Sequence, residues 1–168
     1  MSIAIITVII SFVLDGIMSN YLNYSLIHPS IFKTIFTVVA LVSIYPYFHN
    51  RRKYLIILLI TGIMFDIVYT GTFMFVTVIF LIIYFVHKFI DFFSPFNLLN
   101  INIISIISIF IYHVISFCML NIFKYNSYSI SLLVNIITHS ILGTIIYTTI
   151  LYFILERLYE KYKIKQIR

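Results

Sequence analysis

Six long apolar runs dominate the chain, at about residues 3–22, 31–48, 54–69, 73–93, 98–123 and 130–155. A bilayer core about 30 Å thick is crossed by roughly 20 helical residues, so each run is of crossing length. Membrane β-strands need only about 10 residues with strict alternation, and no run alternates. In hydrocarbon the backbone must satisfy its own polar groups, which leaves the helix as the element available to these runs. Only 10% of the 168 residues are charged, against about a quarter in a soluble domain. The runs predict an all-α integral membrane protein, a six-transmembrane-helix bundle. It forms one domain over residues 1–155, followed by a basic tail at 156–168.

Lysine and arginine orient the bundle. With the N-terminus cytoplasmic, the inner side collects Arg51, Arg52, Lys53, Lys88, Arg157, Lys161, Lys163, Lys165 and Arg168. The outer side collects Lys33 and Lys124. That bias follows the positive-inside rule and supports an even number of spans, with both termini inside. The localisation expected is the cytoplasmic (inner) membrane, multi-pass. The net charge of +6 therefore marks topology rather than nucleic-acid binding. Arg51, Arg52, Lys53, Arg157, Lys161, Lys163, Lys165 and Arg168 are expected to contact anionic lipid. The tail also has an alternative reading as a docking handle for a cytoplasmic partner.

Local signals refine the runs. No basic segment precedes the first run and no small-residue cleavage site follows it, so it is expected to stay as a helix. Pro29-Ser30 reads as a helix start with Ser30 as N-cap. Pro46 is expected to bend the end of the second run. Ser94-Pro95-Phe96-Asn97 separates the fourth run from the fifth, and 124–129 the fifth from the sixth. No internal repeat is visible. Cys118, the single cysteine, excludes an internal disulfide and reads as a small core residue.

Polar groups inside the runs are the candidates for chemistry. Asp15 and Asp66 each lie twelve residues into their runs, about 18 Å from the inner edge. His139 falls at a similar level in the sixth run, and His113 lies deep in the fifth. A lone ionised carboxylate at that depth is costly and must find a partner or a proton. Two readings stand. Asp15, Asp66, His139 and His113 form a buried cluster, either a proton or cation site or a lock on helix order. Otherwise each is satisfied separately by backbone, hydroxyls or water. Asp15 is followed by Gly16, and Gly62 shares a helical face with Asp66. A glycine there lets a second helix approach closely.

Catalytic signatures are missing. No His-x-x-x-His or Glu-x-x-His spacing supports a metal, and no Gly-x-Ser-x-Gly elbow or phosphate-cradling glycine loop occurs. The chain is expected to be non-enzymatic, with no catalytic residue, metal or cofactor.

The stretch Gly62-Ile-Met-Phe-Asp66-Ile-Val-Tyr69-Thr-Gly71-Thr-Phe-Met74 carries a family resemblance. Gly-x-x-x-Asp in the third run, a Tyr-Thr-Gly turn and an aromatic-rich fourth run resemble the rod shape-determining protein MreD family. Chain size, Asp15-Gly16 and the basic tail are also similar. Where that family often has a further glycine, this chain has Phe73-Met74-Phe75. The resemblance implies a scaffold in the bacterial cell-elongation machinery, which builds peptidoglycan and maintains rod shape. Its implied partner is the bitopic protein MreC and, through it, MreB, RodA and a class B penicillin-binding protein. No catalytic residues carry over; Gly62 and Asp66 alone inherit importance. The six-span architecture is also similar to substrate-binding subunits of energy-coupling-factor vitamin transporters. Such a subunit is the alternative function.

Overall fold

The computed structural model describes residues 2–22, 35–48, 50–71, 74–91, 97–122 and 129–161. Six helices account for nearly all of them, and no strand occurs among the described residues. Helix α1 is Ser2–Leu22 and α2 is Phe36–Ile44, prolonged by a 3-10 turn at Tyr45–Tyr47. Helix α3 is Arg51–Phe65, prolonged by a π-helical turn at Asp66–Thr70. Helices α4 (Phe75–Asp91), α5 (Leu98–Ile122) and α6 (Ile130–Lys161) complete the bundle. The expected helix start at Pro29-Ser30 lies outside the described residues. So do Lys33, the break at 92–96, most of the 124–129 loop, and Lys163, Lys165 and Arg168 in the tail.

Local chemistry explains the ends. Asn50 accepts a hydrogen bond from the Arg52 N–H at 2.9 Å, an N-cap that starts α3 at Arg51, three residues before the apolar run. Pro46 sits in the 3-10 turn that ends α2, where its fixed φ and missing N–H suit a tightening helix end. Gly71 closes the π turn with φ +61°, the left-handed conformation glycine adopts most easily. Helix α6 runs without a break past the end of its apolar run. Its 32 residues make it about 48 Å long.

Helix α2 is the centre. It packs on α1, α5 and α6, and its turn reaches α3 and α4 through Tyr45, whose ring lies 5.0 Å from Tyr54 and 4.0 Å from His87. Every residue from Thr37 to Phe48 is buried. A helix apolar on all sides belongs in the middle of a bundle. Around it, α3 packs on α4, α4 on α5, and α5 on α6. At the far end Tyr47 stacks on Tyr159 of α6 at 3.9 Å. That contact holds the last turns of α6 against the bundle.

The core is mainly apolar, but polar side chains are buried within it and large apolar ones cover the surface, unlike a water-soluble protein. Thr37, Ser43, Thr61, Asp66, Thr77, His87, Ser105, Ser108, Ser140, Thr144 and Thr148 are buried. Meanwhile Ile6, Ile9, Ile10, Val13, Ile56, Ile60, Ile67, Phe85, Leu99 and Phe153 are exposed. Three helical segments, Arg51–Thr70, Leu98–Met119 and Ile130–Lys161, are long and apolar enough to cross a membrane. Shorter apolar helices occupy Ile3–Met18, Phe36–Tyr47 and Phe75–Lys88. Cys118 is exposed, which corrects its reading as a core residue. An apolar run does not distinguish a core face from an outward one when the outside is also apolar.

Enlarging Ala40, which is fully buried in α2, should overpack the centre. Ala40→Phe is expected to cost about 1–3 kcal/mol, read as a lowered thermal midpoint in detergent. Ile9→Phe on the outward face of α1 should leave the midpoint unchanged.

Candidate functional site

The two intramembrane-type aspartates do the same job in two places. Asp15, on α1, accepts hydrogen bonds from the Phe36 N–H (2.8 Å), the Thr37 N–H (2.8 Å) and the Thr37 hydroxyl. Asp66, at the end of α3, accepts from the Val76 N–H (2.7 Å), the Thr77 N–H (3.1 Å) and the Thr77 hydroxyl (2.8 Å). In each case a carboxylate on one helix caps the first turn of the next. Those first-turn N–H groups have no partner within their own helix. The N-cap of α2, Ile35, has no side chain that could serve. Negative charge at a helix N-terminus is also favoured by the helix dipole.

The α1–α2 hairpin and the α3–α4 hairpin share an aspartate, a small residue one turn before it (Ser11, Gly62) and a capped threonine (Thr37, Thr77). The separations differ, 21 residues from Asp15 to Phe36 and 10 from Asp66 to Val76.

The small residues have measurable reasons. A Cβ on Gly62 would lie 2.9 Å from the Thr77 Cα, so only glycine lets α4 sit close enough for Thr77 to reach Asp66. A Cβ on Gly16 would overlap the Tyr69 hydroxyl. That hydroxyl donates to the Phe12 carbonyl at 2.6 Å and ties the end of α3 to α1. Counted from the helix starts at Ser2 and Arg51, the two aspartates lie about 20 Å and 22 Å along their helices.

His139 lies elsewhere. His139 Nδ1 is 2.8 Å from the Asn135 carbonyl of its own helix. The α6 residue at the level of Asp15 is Tyr147, which bonds Ser11 at 2.8 Å and packs edge-on against Phe36. His139 is eight residues from it, about 12 Å along the helix. His113 follows Tyr112 on α5, their ring centroids 5.7 Å apart. Asp15 and Asp66 thus both bond the first turn of the following helix, Asp66 also accepting from the Thr70 hydroxyl at 3.3 Å, while His139 bonds within its own helix.

Sequence reasoning missed Thr37, Thr77 and His87. The threonines carried a signal: Thr37 is the second residue of α2 and Thr77 the third of α4, each in a first turn preceded by a residue unable to cap it. His87 carried none. It is buried, and neither ring nitrogen has a hydrogen-bond partner among the described residues. Its ring lies on Tyr45, whose ring carries the Arg51 guanidinium carbon at 3.9 Å from its centroid. Arg51 also donates to the Tyr45 carbonyl at 2.9 Å. Arg52 and Lys53 are exposed beside it, as are Arg157 and Lys161 at the end of α6. Among the described residues no group of three or more His, Cys, Asp or Glu side chains could hold a metal.

No protein-family model matches the chain, and neither the curated proteins nor the solved structures contain a significant match to it.

Stability should track the number of donors left unpaired. Asp66→Ala orphans three donors and should cost more than Asp66→Asn, which keeps one acceptor oxygen. Thr77→Val, which removes one bond, should cost least. Each orphaned buried donor is worth about 1–3 kcal/mol, and thermal unfolding in detergent gives the order. His87→Phe keeps the ring stack and removes two unpaired nitrogens, so it should leave stability equal or raise it.

Proposed function

We propose that this chain is a six-span inner-membrane scaffold of the MreD kind, with both termini in the cytoplasm. It would act without catalysis in the cell-elongation machinery, as partner of an MreC-like bitopic protein. Through that partner it would meet MreB, RodA and a class B penicillin-binding protein. The observation that carries the reading is the pair of aspartate locks. Both intramembrane carboxylates are engaged in fixing helix hairpins, the work of a rigid docking body rather than of a reaction centre.

Three further features support it. The outward faces of α1, α3, α4, α5 and α6 carry exposed large apolar residues. Lysine and arginine fall nine to two on the side assigned to the cytoplasm, which accounts for all 11. Met74 holds φ +59° close to where the MreD family often carries a further glycine, the residue that adopts this backbone at least cost. The basic residues Arg51, Arg52, Lys53, Arg157 and Lys161 would rest on anionic headgroups, each contributing about 1 kcal/mol.

Depletion in the host bacterium is the test. Rod-shaped cells should become round or swollen, scored as a falling length-to-width ratio. Asp66→Ala should fail to restore shape, whereas Ile9→Phe should restore it. Normal shape combined with a new vitamin requirement would replace the scaffold with a transporter subunit. Reporter fusions after residues 50 and 168 should be cytoplasmic, and one after residue 124 external.

A further inference from the structure

Helices α5 and α6 do not close against each other along their whole length. Between them lies a crevice of about 150 Å³. Ile106, Ile107 and Phe110 line one wall, and Ile137 and Ile141 the other. Ser140 and Thr144 also line it, but their hydroxyls are turned back into α6. Ser140 donates to the Ile137 carbonyl at 2.8 Å and Thr144 to the Ser140 carbonyl at 2.7 Å. Those bonds leave neither hydroxyl proton available, so a polar ligand has little to bind. Apolar cavities of about this size stay dry and accept hydrocarbon guests.

Position decides which hydrocarbon. Phe110 is twelve residues beyond the start of α5 at Leu98, about 18 Å along the helix and near mid-bilayer in the proposed topology. Phe110 is half-exposed at the rim, so the crevice opens sideways rather than to either end of the bundle. What lies beside the bundle at that depth, on the membrane reading above, is the acyl chain of a phospholipid.

We propose that the α5–α6 crevice is a binding site for a lipid acyl chain, which lies along the groove with Phe110 and Ile141 against it. Retention there exceeds that at the ordinary lipid-facing surface, because the chain is enclosed by two helices instead of touching one.

The chain contains no tryptophan, so a single introduced indole reports alone. Phe110→Trp places it at the rim of the crevice. Ile60→Trp, on the exposed face of α3 and within one helical turn of the same depth, reports the open surface. In vesicles of phospholipid brominated at mid-chain, both should be quenched. After transfer to excess detergent, residual quenching at position 110 should be at least threefold that at position 60. Adding Ile141→Phe or Ile107→Phe, either of which fills the groove, should remove the excess. Equal loss at both positions would overturn the proposal, leaving ordinary lipid contact. Quenching in vesicles at position 60 but not at 110 would also overturn it, showing that protein covers the crevice. No quenching at either position in vesicles would instead refute the membrane reading on which the proposal rests.

Discussion

The fold depends on a carboxylate of one helix satisfying the first turn of the next. Helix N-termini carry N–H groups that water usually satisfies. In the proposed bilayer there is no water at that depth, and each unpaired group costs several kcal/mol. Asp15 and Asp66 meet that demand with three hydrogen bonds each. The exchange is mutual: an isolated carboxylate in hydrocarbon would be at least as costly as the orphaned N–H groups. Neither partner is tolerable alone, and together they fix which helix follows which.

Close approach then dictates the residues around each lock. Thr77 reaches Asp66 only because Gly62 offers no Cβ. In the other hairpin Ser11 takes that place, and its hydroxyl serves both the Thr7 carbonyl and Tyr147. The first hairpin is thereby joined to α6, while Tyr69 joins the second hairpin to α1. Between them sits α2, apolar on every side because every side meets protein. Several interior hydroxyls bond carbonyls of their own helices, as those of Thr61, Thr144 and Thr148 do. Those of Ser43, Ser105 and Ser108 are buried without a hydrogen-bond partner among the described residues.

Much of the architecture was legible in the sequence, because length and hydropathy are coarse signals that need no partner. The helices follow the apolar runs closely: α5 covers Leu98–Ile122 where the run covers 98–123. Asp15 and Asp66 stood out because charge in such a run is expensive wherever it points. Their partners were not legible. A backbone N–H has no sequence signature, and an aspartate that caps another helix looks like one that titrates. Cys118 shows the converse limit, since outward and inward faces are equally apolar. The pairing of a small residue with an aspartate one turn later, twice in the chain, was there to be read.

The unequal connections bear on what the locks are for. If each lock merely ended a loop, the longer connection after Asp15 would have little reason to return to the same geometry as the short one after Asp66. Instead both threonines arrive at a carboxylate in the same arrangement of two N–H groups and one hydroxyl. The Tyr69–Phe12 bond joins the second hairpin to the first, so the two locks belong to one connected frame. A frame tied in this way resists piecemeal deformation, which is what the proposed scaffold would require.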